Sequence, residues 1–331
     1  MSAPATPSAD LADARLLYER REWIALADRL RPLAEEALLA EPELAFLYAD
    51  ACRRLGDTAT ALRLALAAEP RTARTGDRRL VVNVINLVGI TLFETGRLEE
   101  AQRRFEQLLE RSTDWDDVDF AARAANGLGN VAHLRGRRDL SLSYYERAIA
   151  GYTRIGNRRG LAQTHYNQGL AFRDLGFDDD ADARYQRAME LAQATGSEEV
   201  VALAEVERAV LRVRQGDGRL AASMAARAGE RFQKMGDPTG YAGAVRVMAS
   251  AARLRGDDDT AAARLDEALA IARQHEDPLL RAEVQRDRGL LLRDTGRGQE
   301  AREALLDAAE SFERIESVEE AAAIRAILGE I

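Results

Sequence analysis

The side chains best suited to chemistry in this chain of 331 residues are few: three histidines (His133, His165, His275), one cysteine (Cys52) and one lysine (Lys234). A zinc hydrolase of the common helical kind needs His-Glu-x-x-His, two imidazoles one turn apart on one face. No two of these histidines stand four residues apart. A phosphate loop needs Gly-x-x-x-x-Gly-Lys-Ser/Thr, but Lys234 sits between Gln233 and Met235. That single lysine also argues against kinase and Schiff-base chemistry. There is no Gly-x-Ser-x-Gly elbow. One thiol makes neither an internal disulfide nor a cysteine-rich zinc site. The acidic runs Asp178-Asp179-Asp180 and Asp257-Asp258-Asp259 lack the spaced oxygen loop that calcium requires, and they read as solvated turns between helices. The expectation is therefore no catalytic residue, no metal and no cofactor: a protein that is not an enzyme.

The bulk numbers fit a soluble, ordered chain, with hydrophobic residues at 46% and charged residues at 31%. Aromatics are scarce at 5%, and alanine fills the interior instead. The formal net charge of −9 disfavours nucleic acid and anionic membranes as partners. Lys234 is the only lysine among 47 basic residues, the mark of a high-GC coding bias. Met1 to Asp10 show neither a basic n-region nor an apolar h-region, and no window reaches the ~18 apolar residues of a membrane span. The reading is a cytoplasmic, bacterial protein.

The elements that would position any site follow from a strict period. Gly56, Gly96, Gly136, Gly176, Gly216, Gly256 and Gly296 are 40 residues apart. Five residues after each stands Ala61, Ala101, Ser141, Ala181, Ala221, Ala261 or Ala301. Seven before each stands Ala49, Gly89, Gly129, Gly169, Ala209, Ala249 or Gly289. A second series, Asp77, Asp117, Asn157, Ser197, Asp237, Asp277 and Ser317, consists of good N-cap types in the same register. Pro238 and Pro278 follow two of these caps at N1, and Ser317 with Glu320 forms a capping-box pattern. Each unit reads as a helical hairpin: a first helix ended by glycine in a left-handed conformation, a tight turn, and a second helix. The small residue two turns before the glycine marks a close helix crossing. Phe105, Tyr145 and Tyr185 are the large knobs expected to fill it. Repetition of this kind predicts a stack of identical supersecondary units.

Leu128-Gly129, Gly136, Tyr145 and Ala148, and again Gly169, Gly176, Ala181, Tyr185 and Ala188, resemble the tetratricopeptide repeat. The common unit of that family is shorter; here the helices are longer, and Gly76-Asp77, Gly156-Asn157 and Gly236-Asp237 precede new hairpins. The pattern is similar to the long repeats of Leu-Gly-Asn scaffold proteins, kinesin light chains and bacterial regulators with solenoid sensor arms. The resemblance implies an all-α fold, a right-handed α-solenoid of antiparallel helical hairpins. The expected division is a disordered tail over 1–8, a degenerate capping hairpin over 9–40 broken at Pro32, seven repeats over 41–316, and a capping helix over 317–331.

The resemblance also implies that first helices line the concave face where partners lie. Positions spaced 3, 4, 3 keep to one face of a helix and give four rows along the stack. The first runs Asn83, Arg123, Gln163, Leu203, Gly243, Glu283. The second runs Asn86, Asn126, Tyr166, Val206, Arg246, Arg286. The third runs Ile90, Asn130, Leu170, Val210, Ser250, Leu290. The fourth runs Phe93, His133, Arg173, Val213, Arg253, Arg293. Three zones result. Asn83, Asn86, Asn126 and Asn130, with Asn167 beside Tyr166, both donate and accept, which suits an extended peptide backbone. Leu203, Val206, Val210 and Val213 form an apolar centre. Arg246, Arg253, Arg286 and Arg293, opposed by Glu283 and with Arg173 in the row of Arg253 and Arg293, could meet carboxylates of an acidic segment. His133 and His165 lie in neighbouring repeats, where ordinary helix positions are expected of them.

These readings converge on an interaction scaffold that binds a peptide or protein segment in its groove. The alternative is a regulatory sensor that takes a small peptide or metabolite and controls a separate effector. Bacterial regulators of that kind carry a further N-terminal bundle or helix-turn-helix, for which residues 1–40 are too short.

Overall fold

The computed structural model describes residues 7–315 and 317–329. The expected tail over 1–8 falls mostly on residues 1–6, outside the described residues, while Pro7 and Ser8 already belong to α1 (Pro7–Glu19). Two compact units divide the chain, one up to Thr164 and one from His165. The first unit continues with α2 (Trp23–Leu30), α3 (Glu35–Ala40), α4 (Pro42–Arg54), α5 (Thr58–Thr75), α6 (Arg78–Glu94), α7 (Leu98–Asp114), α8 (Val118–Leu134) and α9 (Arg138–Ile155). The boundary falls inside α10 (Arg158–Asp174). The second unit holds α11 (Asp178–Gln193), α12 (Glu198–Arg214), α13 (Gly218–Met235), α14 (Pro238–Leu254), α15 (Asp258–Gln274), α16 (Pro278–Asp294), α17 (Gly298–Arg314) and α18 (Val318–Leu328). No strand occurs among the described residues. From α4 onward each unit is an all-α solenoid of hairpins. Within each unit successive helices pack in series, and neighbouring first helices also touch, as α4 does α6 and α12 does α14.

The punctuation works as its chemistry requires. All seven periodic glycines hold φ between 69° and 88°, the left-handed region that a β-carbon strains. The side chains of Asp77, Asp117, Asn157, Asp237 and Asp277 each accept a hydrogen bond from an amide two or three residues on. Ser197 and Ser317 do not. Ser197 Oγ pairs with Thr195 Oγ1 at 3.1 Å. Ser317 Oγ donates to the Glu320 carboxylate at 2.8 Å, so the reciprocal backbone bonds of a capping box are replaced by a side-chain pair. A further series caps second helices: Asp57, Asp217 and Asp257 accept from Thr60, Leu220 and Thr260. The acidic runs are thus caps and first turns rather than turns between helices. Asp178, Asp179 and Asp180 all lie in the first turn of α11, where negative charge favours the helix dipole.

Packing explains the small residues. A β-carbon on Gly129 would stand 2.5 Å from Tyr145 Cε1, and one on Gly169 would stand 2.5 Å from Tyr185 Cε1. The ring of the second helix therefore sits on the bare backbone of the first, and both tyrosines are almost wholly buried. A second knob trades places between helices. Tyr152 lies on Gly160, and Phe232 on Gly240. In the repeat before Tyr152 the pair is reversed, with Ser112 small and Phe120 large and buried. Volume is conserved at the contact while its donor switches helix, the substitution that packed cores tolerate best.

At the N-terminal end, Leu26 and Leu30 are buried and α2 stops before Pro32, which cannot continue a helix. Residues 7–40 hold three helices, one more than a hairpin. Tyr18 of α1 donates to Asp50 of α4 at 2.8 Å, and Arg53 and Arg54 each reach the same carboxylate at 3.0 Å.

Candidate partner-binding face

The 3, 4, 3 rows are a physical surface within each unit. In the first unit Asn83, Asn86, Ile90 and Phe93 on α6 are half-buried, and so are Arg123, Asn126, Asn130 and His133 on α8. Their helix neighbours Val84, Val88, Ala124 and Leu128 are buried. The second unit repeats the pattern. Tyr166, Leu170 and Arg173 on α10 are half-buried, as are Leu203, Val206, Val210 and Val213 on α12. The same holds for Gly243, Arg246, Ser250 and Arg253 on α14, and for Glu283, Arg286, Leu290 and Arg293 on α16. On each of these first helices the row is left partly open while residues beside it are buried.

The asparagine zone is divided. Asn83 and Asn86 stand on α6, and Asn126 and Asn130 on α8. Asn130 Oδ1 already accepts from the Tyr145 hydroxyl at 3.0 Å. Asn167 is buried; one position past Tyr166, it turns off the row into the packing.

The apolar centre on α12 is half core and half surface. Val206 and Val210 pack on buried Ala225, Met224 and Val247, with Met248 beside them. Their outer sides remain open. A β-carbon on Gly243, in the first row of the next repeat, would meet nothing within 4 Å, so that position is a notch in the face.

The arginine zone differs from the expectation. Every arginine in it faces a carboxylate of the same unit. Arg246 Nη1 lies 2.9 Å from Asp287 and its Nη2 lies 3.3 Å from Glu283. Arg286 Nε is 2.9 Å from Asp287. Arg253 pairs with Asp294, to which Arg293 also reaches at 3.2 Å. Arg173 pairs with Glu207 and lies 2.8 Å from Asp174. Burial pushes the Asp287 carboxyl up, but the guanidinium groups of Arg286 and Arg246 outweigh it and hold the group below its ordinary range. Arg246 stays charged against its own burial because Glu283 and Asp287 face it. Arg173, Arg246 and Arg253 tie neighbouring first helices, Arg286 and Arg293 reach the carboxylate beside them on their own helix, and the carboxylates expected from a partner are supplied by the protein. Their signature is an offset of the period plus one: Arg53 with Glu94, Arg246 with Asp287, Arg253 with Asp294, each 41 residues apart.

Beside this face His165 is buried; that burial first, and then Arg184 and Arg187, push its imidazole down to about 4. Among the described residues no group of three His, Cys, Asp or Glu side chains could hold a metal ion, and no helix is long and apolar enough to cross a membrane.

Fold and face together define an array of α-helical hairpins with one half-open face. Residues 120–194 match the family model described as tetratricopeptide repeat, and the same register runs through the hairpins on either side. Within that segment the chain carries the tetratricopeptide repeat, in a 40-residue unit. No curated protein matches it. Among solved structures it is similar to a Rap protein complexed with competence and sporulation factor, at 16% identity and TM-score 0.66, covering 98% of this chain and 96% of that one. It is also similar to NprR in complex with its cognate peptide NprX, at 14% identity and TM-score 0.65, covering 86% and 81%. A third likeness is a signal transduction ATPase with a tetratricopeptide repeat sensor from Pyrococcus horikoshii, at 14% identity and TM-score 0.67, covering 97% of this chain and 50% of that one. At these identities the likeness is one of fold.

Proposed function

We propose that this protein is a non-enzymatic interaction scaffold that holds a peptide or protein segment against its first-helix face. The observation that supports it is the half-open row pattern, repeated without a break on α12, α14 and α16 and apolar at its centre on Val206, Val210 and Val213. The asparagines Asn83, Asn86 and Asn126 offer backbone contacts in the first unit. The arginines act by shaping the face, so the bound segment needs no acidic stretch. The net charge of −9 disfavours nucleic acid as the partner. The arginine-rich, lysine-poor composition supports a bacterial source, and we place the chain in the cytoplasm. The seven repeats over 41–316 form the working array, with residues before and after as caps.

A second reading, a peptide-sensing regulator of a separate effector, draws support from the Rap and NprR structures, whose complexes hold a factor and a peptide. In both readings a peptide occupies the same face. Selection from a library of random dodecapeptides tests this. Peptides chosen on the wild type should lose about tenfold or more in affinity against Val206→Arg, because an apolar anchor worth ~1.5–3 kcal/mol meets a cation instead. Equal binding to both proteins would refute the placement.

A further inference from the structure

Tyr145 and Tyr185 occupy the same place in successive repeats, each ring seated on the glycine of its own first helix. Their hydroxyls meet different surroundings. Tyr145 donates to Asn130, a third-row residue, at 3.0 Å. This bond shows where the phenol at this position ends: at the third row of the first-helix face. One repeat later the third-row residue is Leu170, which has no acceptor. Tyr185 is fully buried, and its hydroxyl has no hydrogen-bond partner in the protein. Leaving a buried hydroxyl unpaired is costly, so a site that keeps one has a reason to.

The neighbourhood narrows what that hydroxyl can meet. Tyr166, on the second row, lies with its ring centroid 6.0 Å from that of Tyr185. Glu207 sits close enough to both rings to oppose their ionisation, as burial does first. Both phenols therefore remain neutral donors. Glu207 is held by Arg173, and Arg173 is further held by Asp174. The cation that acts on both rings is therefore already taken, and the Glu207 charge repels a further carboxylate. The apolar wall is Leu170 and its packing partners in the same cluster.

We propose that the Tyr185 hydroxyl, covered in the free protein and uncovered when the Leu170 side chain turns outward, is a recognition donor for an uncharged carbonyl, the backbone carbonyl of an extended peptide, beside the apolar centre on α12. This rests on the reading of the first-helix face as a peptide site and adds the chemistry of the segment bound there: neutral at this point, with an apolar side chain seated next to it.

The test uses the full chain and random dodecapeptides displayed on phage, followed by affinity measurements with selected peptides on wild type, Tyr185→Phe and Val206→Arg. Tyr185→Phe keeps the ring on Gly169 and deletes only the hydroxyl. It should melt at or above the wild-type temperature and bind about fivefold to tenfold more weakly. The selected peptides should show no enrichment in Asp or Glu. A melting temperature several degrees below wild type would mean the hydroxyl is already satisfied in the free protein, and would overturn the proposal. So would unchanged affinity in Tyr185→Phe while Val206→Arg abolishes binding, an outcome that leaves the peptide face standing. An acid-enriched set would overturn the neutral acceptor. Failure to select any peptide, or equal binding to Val206→Arg, would overturn the peptide face itself and this inference with it.

Discussion

Replacing Arg246 by leucine removes the cation from a buried ion pair of the first-helix face and leaves its carboxylates behind. Breaking a buried pair from one side typically costs ~3–5 kcal/mol. Two features reduce that here. Asp287 keeps Arg286 at 2.9 Å, and Glu283 has a side chain 29% exposed that can rehydrate. The expected loss is about 2–3 kcal/mol at neutral pH. The pH dependence follows from Asp287. Its folded carboxyl is held below the ordinary range, so it stabilises the fold above its unfolded pKa and that contribution is lost as pH falls through the folded value. The gap between wild type and Arg246→Leu should therefore shrink as pH falls below about 4. Urea unfolding followed by circular dichroism measures the size. Amide hydrogen exchange measures the place, because a solenoid is coupled mainly between neighbours; α14 and α16 should lose protection before α12. A variant within ~0.5 kcal/mol of wild type, with exchange in α14 and α16 unchanged, would refute the reasoning. The arginines would then be free for a partner rather than structural.

Two further perturbations test the packing and the buried imidazole. Gly129→Ala puts a β-carbon 2.5 Å from the Tyr145 ring and should destabilise by ~1–3 kcal/mol; combining it with Tyr145→Leu should recover part of the loss, and strict additivity in urea melts would show the two do not meet. His165 is held neutral by burial, with its imidazole pushed down to about 4, so the unfolded chain binds a proton the folded one refuses. Stability should be full above about 6.5 and fall as pH drops from there towards 4, and His165→Gln should flatten that slope; an NMR titration placing the imidazole at its ordinary value would contradict this.

What could be read in the sequence divides along a physical line. The period, the left-handed glycines, the Asp and Asn caps and the tyrosine knobs were legible because each obeys a local rule: a φ that needs no β-carbon, an amide that needs an acceptor, a ring that needs a bare backbone. The second-helix caps Asp57, Asp217 and Asp257 obey the same rule but recur in only some repeats, and in the sequence Asp257 reads as part of a turn. Ser197 and Ser317 are cap types whose hydroxyls found other partners, a competition that residue type does not decide. The face itself was legible from 3, 4, 3 spacing, and Asn167 fell off it by one position. The charge pattern was the hardest part. Guanidinium groups on long side chains take the carboxylates that tertiary packing brings near, and Glu207, Glu283, Asp287 and Asp294 are brought near from the next first helix. Of these Glu283 stood in the first row opposite the arginines, and the 41-residue offset of Arg246 with Asp287 and Arg253 with Asp294 betrays two more. The Tyr185 hydroxyl shows the same limit, since its missing partner is visible only when Leu170 is set against Asn130.

The central claim is that recognition takes place on the first-helix face. Photo-crosslinking tests it most directly, with benzoylphenylalanine placed either at position 210 on that face or at exposed position 230 on the second helix α13. A peptide selected on the wild type should be captured from position 210 and not from position 230. Capture from position 230 alone would contradict the account and put the binding surface on the second helices.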